Sequence, residues 1–213
     1  MGKNYQGING NWSGKIGPTI GRQKNGRTIS AIYQPIVANP KTSKQVKARK
    51  YFSLIAQTFR SMAGWADVMT KGLRKYGTSW SNLLFINMDY DSTITGSAPN
   101  YEIQYSNLEL SRGNLLLPLS LSGVVESNVL SVSWTDNTDN IAAFATDISC
   151  LAIRNTVKGQ WLYSLSGGNR STRQATLTFP SAWSGDVIEC YISFRKAEDE
   201  EVSPSQYLGQ FSI

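Results

Sequence analysis

The sequence contains no histidine and only two cysteines among its 213 residues. Without histidine, a Ser-His-Asp or Cys-His catalytic site cannot form within one chain, and the most common metal ligand of proteins is missing. The two cysteines, Cys150 and Cys190, are too few to build a zinc site by themselves. These absences predict a protein that is not an enzyme and that holds no metal.

Other familiar signals are missing as well. There is no Walker A motif, no G-x-G-x-x-G motif and no G-x-S-x-G nucleophile elbow. The apolar runs are far shorter than the roughly 18 residues of a membrane span, and the glycine-rich start has no apolar leader. We therefore expect no cofactor, no membrane span, and synthesis in the cytoplasm with both cysteines reduced.

Negative charge is scarce in the first part of the chain. Residues 1–88 contain 14 lysines and arginines and one acidic residue, whereas residues 89–213 contain 7 basic and 14 acidic residues. The two parts therefore carry +13 and −7, within a net charge of +6. Such asymmetry is consistent with contact between the basic part and nucleic acid or a membrane surface, with head-to-tail contact between copies, or with a solvated basic face.

Residues 1–38 are predicted to form a glycine-rich basic arm. Seven of the 18 glycines lie within the first 26 residues, and no helical period is present. Asn25-Gly26 is a typical hairpin turn between the apolar residues Ile20 and Ile29, so paired strands are expected there. Because such an arm buries little apolar surface by itself, we expect it to be mobile or ordered against a neighbour.

Residues 39–88 are predicted to be a helical assembly segment. Thr42 and Gln45 form a capping-box pattern, and apolar residues then recur at alternating spacings of four and three. The stripe comprises Ala48, Phe52, Ile55, Phe59, Met62, Ala66, Met69, Leu73, Tyr76, Trp80 and Leu83. Helices are expected near 42–62, 65–76 and 79–88. The stripe packs either within the chain, on the arm and the other helices, or against a neighbouring copy.

The character of the sequence changes after residue 88. Residues 89–101 are polar and are predicted to be a linker, and residues 102–213 alternate between apolar and polar positions. Strands are expected at 103–111, 115–121, 129–135, 147–154, 160–165, 174–179, 187–195 and 206–212. Short strands at this density are typical of an antiparallel immunoglobulin-like β-sandwich. The predicted fold class is therefore α+β: a glycine-rich N-terminal β arm, a short helical segment and this C-terminal sandwich.

Two stretches support the sandwich. Residues 129–134 are similar to the second strand of fibronectin type III and related immunoglobulin-like domains, with Trp134 buried, and residues 180–194 resemble the turn and penultimate strand. Cys150 and Cys190 would then lie on neighbouring strands of one sheet as buried free thiols.

Several longer matches carry a resemblance to a known family. They are Gly14-Lys15-Ile16-Gly17-Pro18-Thr19-Ile20-Gly21; Asn39-Pro40-Lys41-Thr42 with Gln45, Arg49 and Phe52; Asn100-Tyr101; Ser111-Arg112-Gly113; Gly185-Asp186; Tyr191-Ile192 with Phe194; and residues 203–209. Together they span nearly the whole chain and resemble an uncharacterised domain-of-unknown-function family of Bacteroidetes and their phages and prophages. Similar arms followed by Asn-Pro-(Arg/Lys)-Thr and a helix occur in small phage structural proteins. The resemblance implies a phage context and no mechanism.

Nine basic residues form the predicted binding site, either for assembly or for phosphate. They are Lys15, Arg22, Lys24, Arg27, Lys41, Lys44, Lys47, Arg49 and Lys50. Lysines at the start of a helix oppose its dipole, which is easier to tolerate beside an anion or an acidic partner. Phosphate contact would be non-specific and salt-sensitive, with Trp12 and Tyr33 interleaved for base stacking. The competing partner is the acidic part of a neighbouring copy.

We interpret these features as those of a non-enzymatic phage structural protein, located in the virion as a minor capsid, vertex, neck or tail component. Its expected partners are copies of itself, other virion proteins and, through the basic half, genomic nucleic acid. One alternative is a nucleic-acid-associated protein that uses the basic half. Another is a carbohydrate or host-surface binding module, with Trp161, Trp183 and Tyr163 exposed as a sugar platform.

Overall fold

The computed structural model describes residues 3–4, 12–24, 27–36, 39–70, 72–73, 79–88, 90–138, 140–197 and 201–213. The architecture is α+β, and antiparallel sheets predominate within it. The chain divides into two compact units, Met1–Thr42 and Ser43–Ile213.

The first unit is an antiparallel sheet whose strands pair in sequence order. Its strands are β1 (Lys3–Asn4), β2 (Trp12–Ile16), β3 (Thr19–Lys24) and β4 (Arg27–Ile32). The predicted hairpin is confirmed, since Lys24 pairs with Arg27; its turn residues, 25 and 26, lie outside the described part. Gly21 leaves room for the Trp12 ring, because a Cβ there would come within 2.5 Å of it.

This sheet buries very little. Of residues 12–24, 27–36 and 39–42, only Gly21 is buried. Ile29 and Ile32 on β4 are 47% and 78% exposed, and their odd spacing places them on opposite faces of the strand. Both faces of the sheet therefore present apolar side chains that the unit itself leaves uncovered.

The second unit begins with helices. They are α1 (Ser43–Thr58), α2 (Ala63–Met69), α3 (Ser79–Ile86) and α4 (Tyr90–Thr93). The first three lie where the sequence predicts helices, but α2 ends at Met69 rather than near residue 76. Thr70 accounts for this end, because its Oγ1 lies 2.8 Å from the Ala66 carbonyl and 2.7 Å from that of Ser79. Such side-chain bonds compete with continuation of the helix.

Most of the apolar stripe packs within the chain. Buried members of one cluster are Ile55, Phe59, Met62, Ala66, Met69 and Leu83. The intramolecular alternative is therefore confirmed for these residues, although they pack on a β-sheet that supplies Cys150, Ala152 and Tyr191. Trp65 secures the contact, since its Nε1 donates to the Leu110 carbonyl at 2.8 Å. Phe52, by contrast, is 46% exposed.

Residues 90–101 of the predicted linker, 89–101, contain regular structure, and residue 89 lies outside the described part. After α4 the chain forms a hairpin of β5 (Ile94–Ser97) and β6 (Asn100–Ile103). Tyr101 of β6 meets Tyr51 of α1 edge to face, with ring centroids 4.8 Å apart. This ring pair packs the hairpin against the helix.

The strand predicted at 103–111 is wrong beyond residue 103. The chain forms a 3₁₀ turn at Tyr105–Asn107, and side chains instead of a neighbouring strand satisfy the backbone of residues 109 and 110. Asn87 accepts from the Glu109 N–H at 2.9 Å and donates to the Glu109 carbonyl at 2.7 Å, and Ser205 Oγ accepts from the Leu110 N–H at 2.8 Å. Leu108 and Leu110 are buried. The alternation of apolar and polar residues therefore indicates burial of these side chains and not a β-strand.

The remaining strands form two sheets. In chain order they are β7 (Leu119–Glu126), β8 (Val129–Thr135), β9 (Ile148–Asn155), β10 (Gln160–Ser164), β11 (Gln174–Thr178), β12 (Val187–Arg195) and β13 (Gln206–Ser212). One sheet has the order β11-β8-β7 and the other β10-β9-β12-β13. These positions confirm the predicted strands from 129 onward. The strand predicted at 115–121 lies further on, at β7.

The β9-β12 sheet separates two apolar clusters. One face packs on the helical cluster, and the other packs on β8 and β11 through Leu130, Val132 and Ala175. Cys150 lies in the first cluster and Cys190 in the second, so the two thiols point to opposite faces. Both are free and buried on neighbouring strands, as the sequence predicts.

Candidate binding surfaces

Four predicted site residues lie on the sheet of the first unit. Lys15 is on β2, Arg22 and Lys24 are on β3, and Arg27 is on β4, and all are exposed. Lys24 and Arg27 are direct cross-strand partners, a pairing of like charges that costs stability unless an anion lies nearby. Lys15 Nζ lies 3.5 Å from the centroid of the Tyr33 ring. This contact occupies one of the two rings that the sequence predicts to stack on bases.

The other predicted residues lie on α1 or just before it. Lys41, with φ of +47°, belongs to the first unit, whereas Lys44, Lys47, Arg49 and Lys50 are exposed on α1. The helix contains no acidic residue. The nine residues thus fall into one group on each unit.

A groove along α1 is the feature that sequence reasoning missed. Its first cavity, about 470 Å³, is lined by Lys44, Lys47 and Lys50 and, on the other side, by the β5–β6 turn with Pro99 and Tyr101. Lys50, Pro99 and Tyr101 also line the adjoining cavity of about 190 Å³. The wall opposite the helix comes from a segment about fifty residues away, so no local pattern signals it.

The groove continues towards the C-terminal end of α1. The second cavity shares Leu54 and Gln57 with a third, of about 430 Å³, which Glu102 and Arg154 also line. We call these three contiguous cavities the α1 groove. It runs between one face of α1 and the β5–β6 hairpin.

Arg154 stands out at the end of the α1 groove because it is 93% buried (7% exposed). Its Nη1 donates to the Gly159 carbonyl at 2.6 Å and lies 3.5 Å from that of Thr58, the last residue of α1. Its Nε is buried without a hydrogen-bond partner among the described residues. The cross-strand neighbour Glu189 is engaged elsewhere, since Tyr207 and Gln210 donate to its carboxylate.

The exposed aromatic platform predicted for a sugar-binding module is wrong. Trp161 and Trp183 are buried, at 9% and 4% exposed. Trp161 Nε1 donates to the Thr58 carbonyl at 2.6 Å, and Trp183 stacks on Phe179. Tyr163 is half-buried against Trp65. All three rings belong to cores, because the helices and the 3₁₀ turn at 181–183 cover them.

A second buried arginine, Arg170, has a structural role. It is fully buried and pairs with Asp147 at 3.0 Å, while Nη1 donates to Asn137 and Nη2 to the Leu116 carbonyl. Burial lowers the pKa of Arg170, and the Asp147 charge opposes that shift. Every contact of this guanidinium is internal, so it joins loops and offers no binding site.

The two thiols are chemically quiet in this structure. Burial raises the pKa of Cys150 to about 12 and that of Cys190 further. Since the thiolate is the nucleophile, neither group is activated. In the part of the chain that is described, no three Cys, Asp or Glu side chains come together as a metal site. Likewise, no described helix is long and apolar enough to cross a membrane.

Comparison with known proteins places the chain in a family. The model of a family of unknown function, DUF6266, matches residues 10–209. The chain therefore belongs to the DUF6266 family, in agreement with the resemblance to an uncharacterised family. A search of curated proteins gave no match.

Proposed function

We propose that this protein is a non-enzymatic structural protein of a phage virion, and that it acts by assembling with copies of itself and with other virion proteins. The first unit, Met1–Thr42, is the assembly element. The second unit carries the helices and an immunoglobulin-like domain that projects from or decorates the particle.

The uncovered sheet of the first unit carries this proposal. Ile29 and Ile32 are exposed on opposite faces, and the described part of the unit buries only Gly21. A sheet that buries so little is marginal alone and gains stability when another surface covers it. Its outer strands β1 and β4 also leave edges on which a further strand can pair.

Charge supports a neighbouring copy as the covering surface. Residues 1–42 contain six basic residues and no acidic one, whereas residues 89–213 carry −7. Attraction between these regions of different copies would orient a head-to-tail contact. The phage setting rests on the sequence resemblance of the arm and the Asn-Pro-Lys-Thr element.

The strand order supports the immunoglobulin-like domain. A sheet of order β11-β8-β7 faces one of order β10-β9-β12-β13 across a shared apolar cluster. In such sandwiches the strands pair antiparallel within each sheet, and the chain crosses from one sheet to the other. Trp134 lies in that cluster against Phe194, with ring centroids 5.2 Å apart.

Light scattering on size-exclusion fractions tests the assembly proposal. We expect the full chain to elute as a discrete oligomer free of nucleic acid, and the double substitution Ile29→Asp and Ile32→Asp to shift it to monomer. Both isoleucines are exposed, so the change leaves the fold intact. Removal of residues 1–38 should have the same effect.

Val157→Asp is the matched control, because Val157 is 66% exposed on the second unit. It should leave the oligomer unchanged. A wild-type monomer would contradict the proposal. A monomer that carries nucleic acid at low salt and releases it at high salt would favour the nucleic-acid-associated alternative, since phosphate contacts weaken steeply with salt.

A further inference from the structure

We propose that the α1 groove binds an extended acidic segment of a partner protein, with an apolar side chain of that segment in the first cavity. The inference deepens the assembly function proposed above and depends on it for the partner's identity as a virion protein. The groove itself can be tested without any assembly.

The charge of the groove favours an acidic occupant. Lys44, Lys47 and Lys50 line its first cavity from one face of α1, on a helix without acidic residues. Among the residues described as lining the three cavities, Glu102 is the only acidic one, and it lines the third. The described lining of the first two cavities therefore contains basic side chains and no acidic one.

Apolar walls favour a polypeptide over a nucleic acid. Val46 is 43% exposed and lines the first cavity together with Ala98 and Pro99. Tyr101 is half-buried and meets Tyr51 edge to face, so part of its ring is already covered within the protein. Aliphatic walls beside lysine side chains suit a leucine or valine flanked by carboxylates.

The length of the groove favours an extended segment. α1 has 16 residues, which corresponds to about 24 Å. An extended chain of about seven residues spans that distance. Such a segment could place one side chain in the first cavity and reach the third.

Arg154 supplies a second, independent observation at the far end. It is 93% buried (7% exposed), lines the third cavity and has a buried Nε without a partner among the described residues. The guanidinium donates to the Gly159 and Thr58 carbonyls, but among the described residues no carboxylate lies within salt-bridge distance of it. A carboxylate of the segment that reaches the third cavity would supply that charge partner.

Fluorescence anisotropy on the full chain tests the inference. The probe is a labelled peptide of about eight residues that alternates glutamate with leucine, compared with a peptide that has lysine in place of glutamate. We expect saturable binding of the acidic peptide only. Lys44→Glu with Lys50→Glu should weaken it by about tenfold or more, because the attraction becomes repulsion.

Two further variants separate charge from shape. Arg112→Glu with Arg173→Glu makes the same change of charge at exposed residues of the second unit that line none of the three cavities, and it should leave the affinity within about twofold. Ser53→Trp fills the second cavity from exposed helix surface without changing charge, and it should also abolish binding.

Equal binding of the two peptides, or equal loss in the Lys44/Lys50 and Arg112/Arg173 variants, would overturn the inference. So would displacement of the peptide by single-stranded DNA, which would make the surface a phosphate site. Because the assay measures peptide binding and not oligomer size, a monomeric protein that still binds the acidic peptide would refute the assembly proposal alone.

Discussion

The two units of this chain differ in how many residues they bury and in how their charges balance. Residues 1–42 carry six positive charges and no negative one, and Gly21 is the only residue that their described part buries. Residues 43–213 contain equal numbers of basic and acidic residues and bury two apolar clusters. The second unit holds itself together, whereas the first offers uncovered apolar side chains and unbalanced charge to a partner.

The largest expected effect comes from comparing one buried apolar residue of the second unit with one exposed apolar residue of the first. Trp65→Ala should lower the free energy of unfolding by about 3–5 kcal/mol, because it empties a core site and leaves the Leu110 carbonyl without its donor. Ile32→Ala should change it by less than about 0.5 kcal/mol. Urea denaturation of both variants measures the difference, and comparable losses would refute the contrast.

Breaking the buried ion pair should cost nearly as much. Arg170→Met leaves Asp147 buried and unpaired, which destabilises by about 3–5 kcal/mol. Adding Asp147→Asn should recover part of the loss, since the amide oxygen can still accept from the Phe144 N–H. Thermal unfolding of the single and the double variant measures both effects. A double variant as unstable as the single one would show that the charge is not the reason.

The buried cysteines test the comparison of the two units with a smaller expected effect on stability. Both should resist a thiol reagent at pH 8 in the native protein and react on denaturation, because burial raises their pKa. The pKa of about 12 for Cys150 in the folded protein lies above the ordinary thiol value of 9.0. The protonated Cys150 thiol therefore contributes fully to the free energy of unfolding below pH 9, and this contribution is lost as the pH rises towards 12.

Cys150→Ala supplies the control for that pH dependence. The variant should show a shallower loss of stability between pH 9 and 12 than the wild type, measured by urea denaturation at each pH. Rapid labelling of the native wild type would instead show that these strands open readily.

Much of the fold could be predicted from local patterns. The four-three spacing of apolar residues located α1, α2 and α3, and alternation located β8 and the strands after it. The strand predicted at 103–111 failed because Asn87 and Ser205, distant in sequence, satisfy that backbone. The basic residues of the candidate site were predicted from composition, but the groove beside three of them was not, since the hairpin that forms its other wall follows much later in the chain.

The sequence by itself determined the absence of histidine chemistry, the separation of charge along the chain, the pairing of β3 with β4, and the periodic helices and strands. These depend on composition and on contacts between near neighbours. Tertiary structure alone decided that the helical stripe packs on β9 and β12, that Trp161 and Trp183 are buried, and that Arg154 lines the α1 groove. Those outcomes depend on residues far apart in sequence, whose meeting no local period encodes.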